Sequence, residues 1–253
     1  MIRIPLSVAA VGLSLLSAPG VVQAQAIGVT QLSSPHRATI QQSGQANLAT
    51  VTDLGEGQRA DVIQAGRDNA AHLAASGSGN HQTVSQHGDS NFAAQFSAGQ
   101  GNRADILQGR AGAVGDRNIA LQAQAGAGNV AVIRQRGDRN LAAQAQIGQV
   151  SIQRAARAAA GLASDLRRGR TARISELSSL SGGIGNRAEI TQDNDDNLAV
   201  MLQSGNHNTL DVHQSGGAAN VYVQVGDGLN RSAHVDQRAG VNGVTPITII
   251  QSR

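Results

Sequence analysis

Asparagine returns along this chain at multiples of eleven residues. Asn47, Asn69, Asn80, Asn91 and Asn102 keep that spacing, as do Asn118, Asn129 and Asn140, and again Asn186, Asn197 and Asn208. A fixed period of this length marks a repeat architecture, in which each unit buries its face only against the next. Aligned on the Asn, the unit reads Asn-x-Ala-x-(Ile/Val)-x-Gln-x-Gly-x-x. It is complete in Asn129-Val-Ala131-Val-Ile133-Arg-Gln135-Arg-Gly137, and its first part recurs in Asn47-Leu-Ala49-Thr-Val51 and Asn186-Arg-Ala188-Glu-Ile190-Thr-Gln192. About eighteen units run from His36 to Gln251, the last four drifting in register.

Within a unit the specified positions alternate by two, the period of a strand, so Asn, Ala, Ile/Val and Gln share one face. A helix would scatter them around its axis, and one Gly per unit would cost it about 1 kcal/mol each time. The repeats are therefore all-β. Gly44, Gly55, Gly66, Gly77, Gly88, Gly99, Gly126, Gly137, Gly148 and Gly205 supply the turns, because Gly takes φ > 0 without steric penalty. One strand and one tight arc fill a unit, and two units close a coil of 22 residues, about twice the eleven-residue period. The expected fold is a β-solenoid of stacked two-strand coils built from eleven-residue half-repeats, with turn insertions. About nine coils at the strand spacing give a length of roughly 40 Å.

Stacking sets like residues above like. The interior columns are predicted to be amide ladders, formed by Asn47, Asn69, Asn80, Asn91, Asn102, Asn118, Asn129, Asn140, Asn186, Asn197 and Asn208, with Gln42, Gln64, Gln86, Gln108, Gln135, Gln192, Gln203 and Gln214. A buried amide without partners is costly. In a stack each can donate to one neighbouring coil and accept from the other.

Composition agrees with this core. The chain has no Trp, one Tyr and two Phe, too few aromatics for a conventional core, and no Cys, which excludes disulfides and thiolate chemistry. All 20 basic residues are Arg. Six of them, Arg154, Arg157, Arg167, Arg168, Arg170 and Arg173, crowd one stretch against only Asp165 and Glu176. Outside that stretch and Arg3, acids outnumber arginines by 15 to 13, so a chain-wide nucleic-acid footprint is absent.

The organisation follows. Residues 1–24 read as a cleaved secretory signal: Arg3, an apolar run to Leu16 and small residues near Ala24. The run is too interrupted and short for a membrane anchor. An N-terminal segment, 25–35, precedes repeats over 36–152. An Arg/Ala-rich insertion with one degenerate repeat occupies 153–183, with helix propensity at 155–163, and repeats resume over 184–253. The steps from Gln108 to Asn118 and from Glu176 to Asn186 are each ten residues instead of five, as if five residues were inserted at a coil corner.

The motif Gln-x-Gly-x-x-Asn-x-Ala-x-(Ile/Val)-x-Gln resembles the curlin repeat of bacterial curli fibres. It is carried by Gln64-Ala-Gly66-Arg-Asp-Asn69-Ala-Ala71-His-Leu73, Gln86-His-Gly88-Asp-Ser-Asn91-Phe-Ala93 and Gln203-Ser-Gly205-Asn-His-Asn208. The resemblance implies a secreted, functional-amyloid subunit of the pilus-like curli fibre at the cell surface, acting in adhesion and biofilm. Its implied partners are itself and other curlin subunits, together with an outer-membrane export pore and accessory factors. The segment before the first unit is shorter than the pore-addressing segment common in the family. The Arg-rich, aromatic-poor composition leans towards the minor, nucleating subunit.

Competing functions are weaker. No nucleophile elbow, phosphate loop or convergent His set indicates an enzyme, a cofactor or a metal site. The run Asp193-Asn-Asp-Asp196-Asn197 lacks the Gly and Glu of a calcium loop and reads as a polar turn. The Arg154 to Arg173 cluster suits an anionic cell surface or DNA, and equally suits a solvated loop; the sequence leaves both open. The alternative class is a monomeric secreted β-solenoid adhesin or surface-binding module, which would share the coils but block their ends. Ile247, Ile249 and Ile250 instead read as an open final strand.

Overall fold

The computed structural model of the protein describes residues 11–16, 26–32, 35–109, 115–146, 183–216, 220–238 and 247–251. Alternating small or branched apolar residues and amides make strands almost throughout. In chain order these are β1 (Val11–Leu16), β2 (Ala26–Leu32), β3 (Arg37–Gln45), β4 (Leu48–Glu56), β5 (Arg59–Arg67), β6 (Ala70–Ser78), β7 (His81–His87), β8 (Phe92–Gln100), β9 (Arg103–Gln108) and β10 (Ile119–Ala127). They continue as β11 (Val130–Arg136), β12 (Leu141–Gln146), β13 (Gly183–Ile184), β14 (Arg187–Asp193), β15 (Leu198–Asn206), β16 (Thr209–Ser215), β17 (Asn220–Leu229), β18 (Ser232–Arg238) and β19 (Ile247–Gln251). No helix occurs among the described residues.

Successive strands alternate between two parallel sheets. Sheet A runs β1-β3-β5-β7-β9-β11-β14-β16-β18, and sheet B runs β2-β4-β6-β8-β10-β12-β15-β17-β19. The expected β-solenoid is what forms, and its coil is the expected 22 residues, the separation at which Gln42 meets Gln64. Where residues are inserted the separation lengthens while the register holds. It is 27 from β8 to β10, five more than 22, because of an excursion between Gly109 and Gly115. It is 57 from β12 to β15 and from β11 to β14. That coil is interrupted after Gln146 and completed by β13, whose Gly183 and Ile184 stand opposite Gly126 and Ala127.

The core between the sheets is a set of columns. Ile40, Val62, Val84, Ile106, Ile133, Ile190, Val212 and Val235 form one in sheet A. In sheet B, Ala49, Ala71, Ala93, Ala120, Ala142 and Ala199 lie in another. Ala facing branched aliphatics fills the roughly 10 Å inter-sheet gap without aromatics.

Most of the tight arcs use left-handed backbone twice. At Gly66 φ is 121°, and a Cβ there would overlap the carbonyl of Gly88 in the next coil, so both the dihedral and the stacking demand glycine. The second left-handed position precedes the repeating Asn of the unit. It holds Gly79 or Gly101 in one arc column, and Asp68, Ser90, Arg117 or Arg139 in the other.

Candidate assembly surfaces: ladders, edges and faces

The sheet A glutamines form one unbroken chain of amides. Gln42, Gln64, Gln86, Gln108, Gln135, Gln192 and Gln214 each donate a hydrogen bond from Nε2 to the next Oε1, the last to Gln237, at 2.6 to 3.3 Å. Each rung from Gln64 to Gln214 also donates to a backbone carbonyl at the start of a sheet B strand, as Gln135 does to Ile119 at 3.0 Å. Both amide hydrogens are thereby used, so the desolvation of these buried groups is offset.

Gln203 lies elsewhere. It ends a second ladder in sheet B, from Gln124 through Gln146, with rungs of 2.9 and 3.0 Å. A third runs from Gln95 through Gln122 to Gln144, where Gln144 points its amide at the sulfur of Met201.

The Asn residues keep the side-chain rung in part, Asn69 donating to Asn47, Asn102 to Asn80 and Asn129 to Asn102 at 3.1 to 3.2 Å, and add bonds to the backbone. In the arcs, Oδ1 accepts the backbone N–H of the Asn one coil on, as Asn47 does from Asn69 at 3.1 Å and Asn129 does from Asn186 at 3.0 Å. The Nδ2 donates to the carbonyl of the stacked turn residue, as Asn69 does to Gly88 at 2.7 Å. Asn80, Asn91, Asn102, Asn118, Asn140, Asn197 and Asn208 repeat the backbone-capping bond. Gln58 stands in for Asn in that column and accepts from Asn80 at 3.0 Å. Each arc is thus riveted to its neighbour where the strands cannot reach.

A column of carboxylates flanks one line of arcs. Asp89, Asp116, Asp138 and Asp195 each accept, through Oδ1, the backbone N–H of the preceding coil, at 2.7 to 2.9 Å. Beside it Arg139 grips Asp196 with two bonds of 2.7 and 2.8 Å, which hold the Asp196 carboxyl below its ordinary range.

The two outer faces differ in chemistry. Sheet A carries charge in alternating signs: Arg59 on Asp61 and Arg103 on Asp105, both at 2.8 Å, Arg136 on Asp193 at 3.2 Å, and Arg134 bonded to Glu189. Burial would raise the Asp61 carboxyl, but the bond and charge of Arg59, with bonds from Thr39 and His81, outweigh it and hold it low. Such exposed pairs add little stability. They make the face an unattractive template for another sheet. Sheet B presents Leu, Ile, Ala and Phe over its middle coils, where His72 and Phe92 pack ring to ring at 5.6 Å.

At the solenoid ends, among the described residues, no element pairs with the outer edges of β2, β18 or β19, and the outer edge of β3 is bordered by β1. β1 comes from within the segment read as a leader. His36 and Asp53 are buried in the first coils, where burial pushes the Asp53 carboxyl up against the opposing pull of His36 and Gln31. Among the described residues no three His, Asp or Glu side chains converge as a metal site. Gly148 and the arginines at 154, 157, 167, 168, 170 and 173 lie outside the described residues, as do the cleavage region near Ala24 and the helix-prone stretch 155–163.

The family model of the curlin associated repeat matches residues 59–88 and 183–216. These stretches hold β5 to β7 and β13 to β16, and the Asn and Gln columns that cross them continue unbroken through the coils between. The match supports the resemblance to curlins at both places. No curated protein matches the chain.

Proposed function

We propose that this chain is a structural subunit of an extracellular, curli-type amyloid fibre and that it elongates the fibre by stacking coil on coil. The observation that carries the reading is the continuity of its columns out to open strand edges. β18 offers Ala233, Val235 and Gln237 in the columns where β3 offers Ala38, Ile40 and Gln42. A second copy placed with β18 against β3 would extend the apolar column and the glutamine ladder without a change of register, with β19 of one copy and β2 of the other contending for the same edge of β4, so that one of the two gives up its place at the junction.

In this reading residues 1–24 direct export and are removed, which takes β1 away and leaves β3 as an edge. Curlins are structural fibre subunits and not enzymes, and their setting is the cell surface, in adhesion and biofilm. The Arg-rich, aromatic-poor composition favours a nucleating role beside an aromatic-richer curlin, with an outer-membrane pore and accessory factors serving export. The arginines of 154–173 would meet an anionic cell surface or DNA.

The test is assembly of the chain lacking residues 1–24, followed by thioflavin-T fluorescence and fibre diffraction. A lag-and-growth curve with a meridional reflection near 4.8 Å is expected, and acceleration of an aromatic-richer curlin would assign nucleation. A monodisperse, unseeding monomer would favour the adhesin alternative and end the fibre reading.

A further inference from the structure

The outer face of sheet B is buried where nothing described lies over it. Interior residues of β10 and β12 are Ala120, Gln122, Ala142 and Gln144, so their neighbours Leu121, Leu141 and Ala143 point away from the core. Yet Leu121 and Leu141 are each only 5% exposed, and Ala143 3%. On β15, outward Leu202 is 2% exposed. Elsewhere on the solenoid, outward Leu54 is 40% exposed and Ile63 41%, and of the sheet A aliphatics Val132, beside the Arg134 and Glu189 pair, is covered to 8% exposure.

The elements that β10, β12 and β15 pack on extensively are their own sheet neighbours and the strands of sheet A across the interior. Ala94, Leu121 and Ala143 nevertheless form a hydrophobic cluster of their own, joined by Phe92, Ile119 and Val200, all on this face. The patch spans four strands and is roughly 20 Å on a side. Its chemistry is local to these coils: the same columns hold Thr50 and Thr52 on β4 and His72 and Ala74 on β6.

We infer that this face is the docking site of the chain's own residues 147–182. The segment leaves from Gln146, at the end of the patch strand β12, and returns at Gly183, paired to the patch strand β10. The other internal stretches outside the described strands are much shorter, and the excursion between Gly109 and Gly115 belongs to an arc. The segment is rich in the residues that a flat Ala and Leu surface accepts, with Ala155, Ala156, Leu162 and Leu166 among its arginines. Joining Ile147 directly to Gly183 would give Gln146-Ile147-Gly183-Ile184-Gly185-Asn186, a complete Gln-x-Gly-x-x-Asn turn. The segment is therefore an insertion into an otherwise intact coil, and the apolar face beside it is its counterpart. In this protein one broad face is occupied by the chain itself and closed to lateral association.

The inference is independent of fibre formation and is tested on the full chain in its soluble form by limited trypsin digestion. Cleavage after the arginines of 154–173 is expected to be slow in the wild type and at least about tenfold faster in the Leu121→Thr, Leu141→Thr double variant, while solenoid cleavage is unchanged. Equal rates would overturn the docking. A variant lacking residues 148–182 is the second measurement. It is expected to keep its β-sheet circular dichroism, to bind a hydrophobic dye several-fold more and to associate laterally. Unchanged dye binding and a monomer like the wild type would also overturn it, as would a wild-type dimer that the double variant abolishes, since the face would then belong to a second copy.

Discussion

Gln42 donates from Nε2 to Oε1 of Gln64 at 2.6 Å, while its own Oε1 is buried and accepts no hydrogen bond. Every later rung in sheet A is oriented the same way, so the ladder has a direction, with its acceptor end at the N-terminal coil. A rung in the middle and a rung at the end should therefore differ in worth. Gln135→Leu strands a donor of Gln108, the Oε1 of Gln192 and the carbonyl of Ile119. A loss of about 2 to 4 kcal/mol is expected, at about 1 kcal/mol or more per stranded buried group. Gln42→Leu strands only the Gln64 acceptor, and about 1 kcal/mol is expected. Urea unfolding of the two variants measures the difference; equal losses would mean that the ladder is not a chain of dependent rungs.

The leader strand bears on the same coil. Leu15 of β1 stands in register with Gln42, so the leader strand holds the backbone edge on which a further coil would pair. A chain retaining residues 1–24 is expected to elongate seeds several-fold more slowly than one beginning at Gln25, because β3 is bordered by a strand that occupies this edge. Seeded thioflavin-T rates compare the two. Identical rates would show that growth does not use the β3 edge.

How much was legible in sequence depended on whether a residue repeats. The coil length, the parallel stacking, the Ile/Val column and the Gly66-type turns all follow from positions that return every eleven residues. Gln124 and Gln146 carry the same consensus position as Gln135, so their ladder is legible in the repeat itself. Gln95, Gln122 and Gln144 hold the Ile/Val position, so only the substitution of an amide three times in one column could have revealed their ladder. The backbone-capping role of Asn47 and of Asp89 was not readable, because it depends on which backbone N–H the arc of the next coil presents. The apolar outer face of sheet B was hidden for a different reason. Leu121, Leu141 and Leu202 sit at variable positions, and only the register across the 57-residue step brings them side by side.

Asp53 makes the fold sensitive to pH in a stated direction. It is buried with Val51 on the inner face, facing Gln31 and His36, and burial raises its carboxyl above the ordinary value. The folded state therefore holds the proton more tightly than the unfolded chain. The contribution of this group to stability is most favourable below the unfolded carboxylate value and is lost as pH rises through the folded one. Asp53→Asn, which keeps the shape and removes the charge, is expected to stabilise the protein at pH 7 by on the order of 1 kcal/mol. That gain should shrink towards zero near pH 3, where the carboxyl is protonated in both states. Denaturation curves at the two pH values test it, and a gain that does not vary with pH would remove the carboxyl charge as its cause.

The glycines of the arcs should separate into two classes. At Gly79 φ is 64° and a Cβ would meet nothing within 4 Å, so Gly79→Ala should lose only the backbone term, about 1 to 2 kcal/mol. At Gly66 the same backbone term is joined by overlap with the Gly88 carbonyl of the stacked coil, which backbone atoms cannot yield without parting the coils. Gly66→Ala is expected to be the more damaging by at least about 2 kcal/mol, in the range where overpacking also exacts 1 to 3 kcal/mol. Thermal and urea unfolding of the pair decide the matter. Equal losses would show that the arcs adapt freely, and that the close stacking of turn glycines contributes nothing beyond their dihedral.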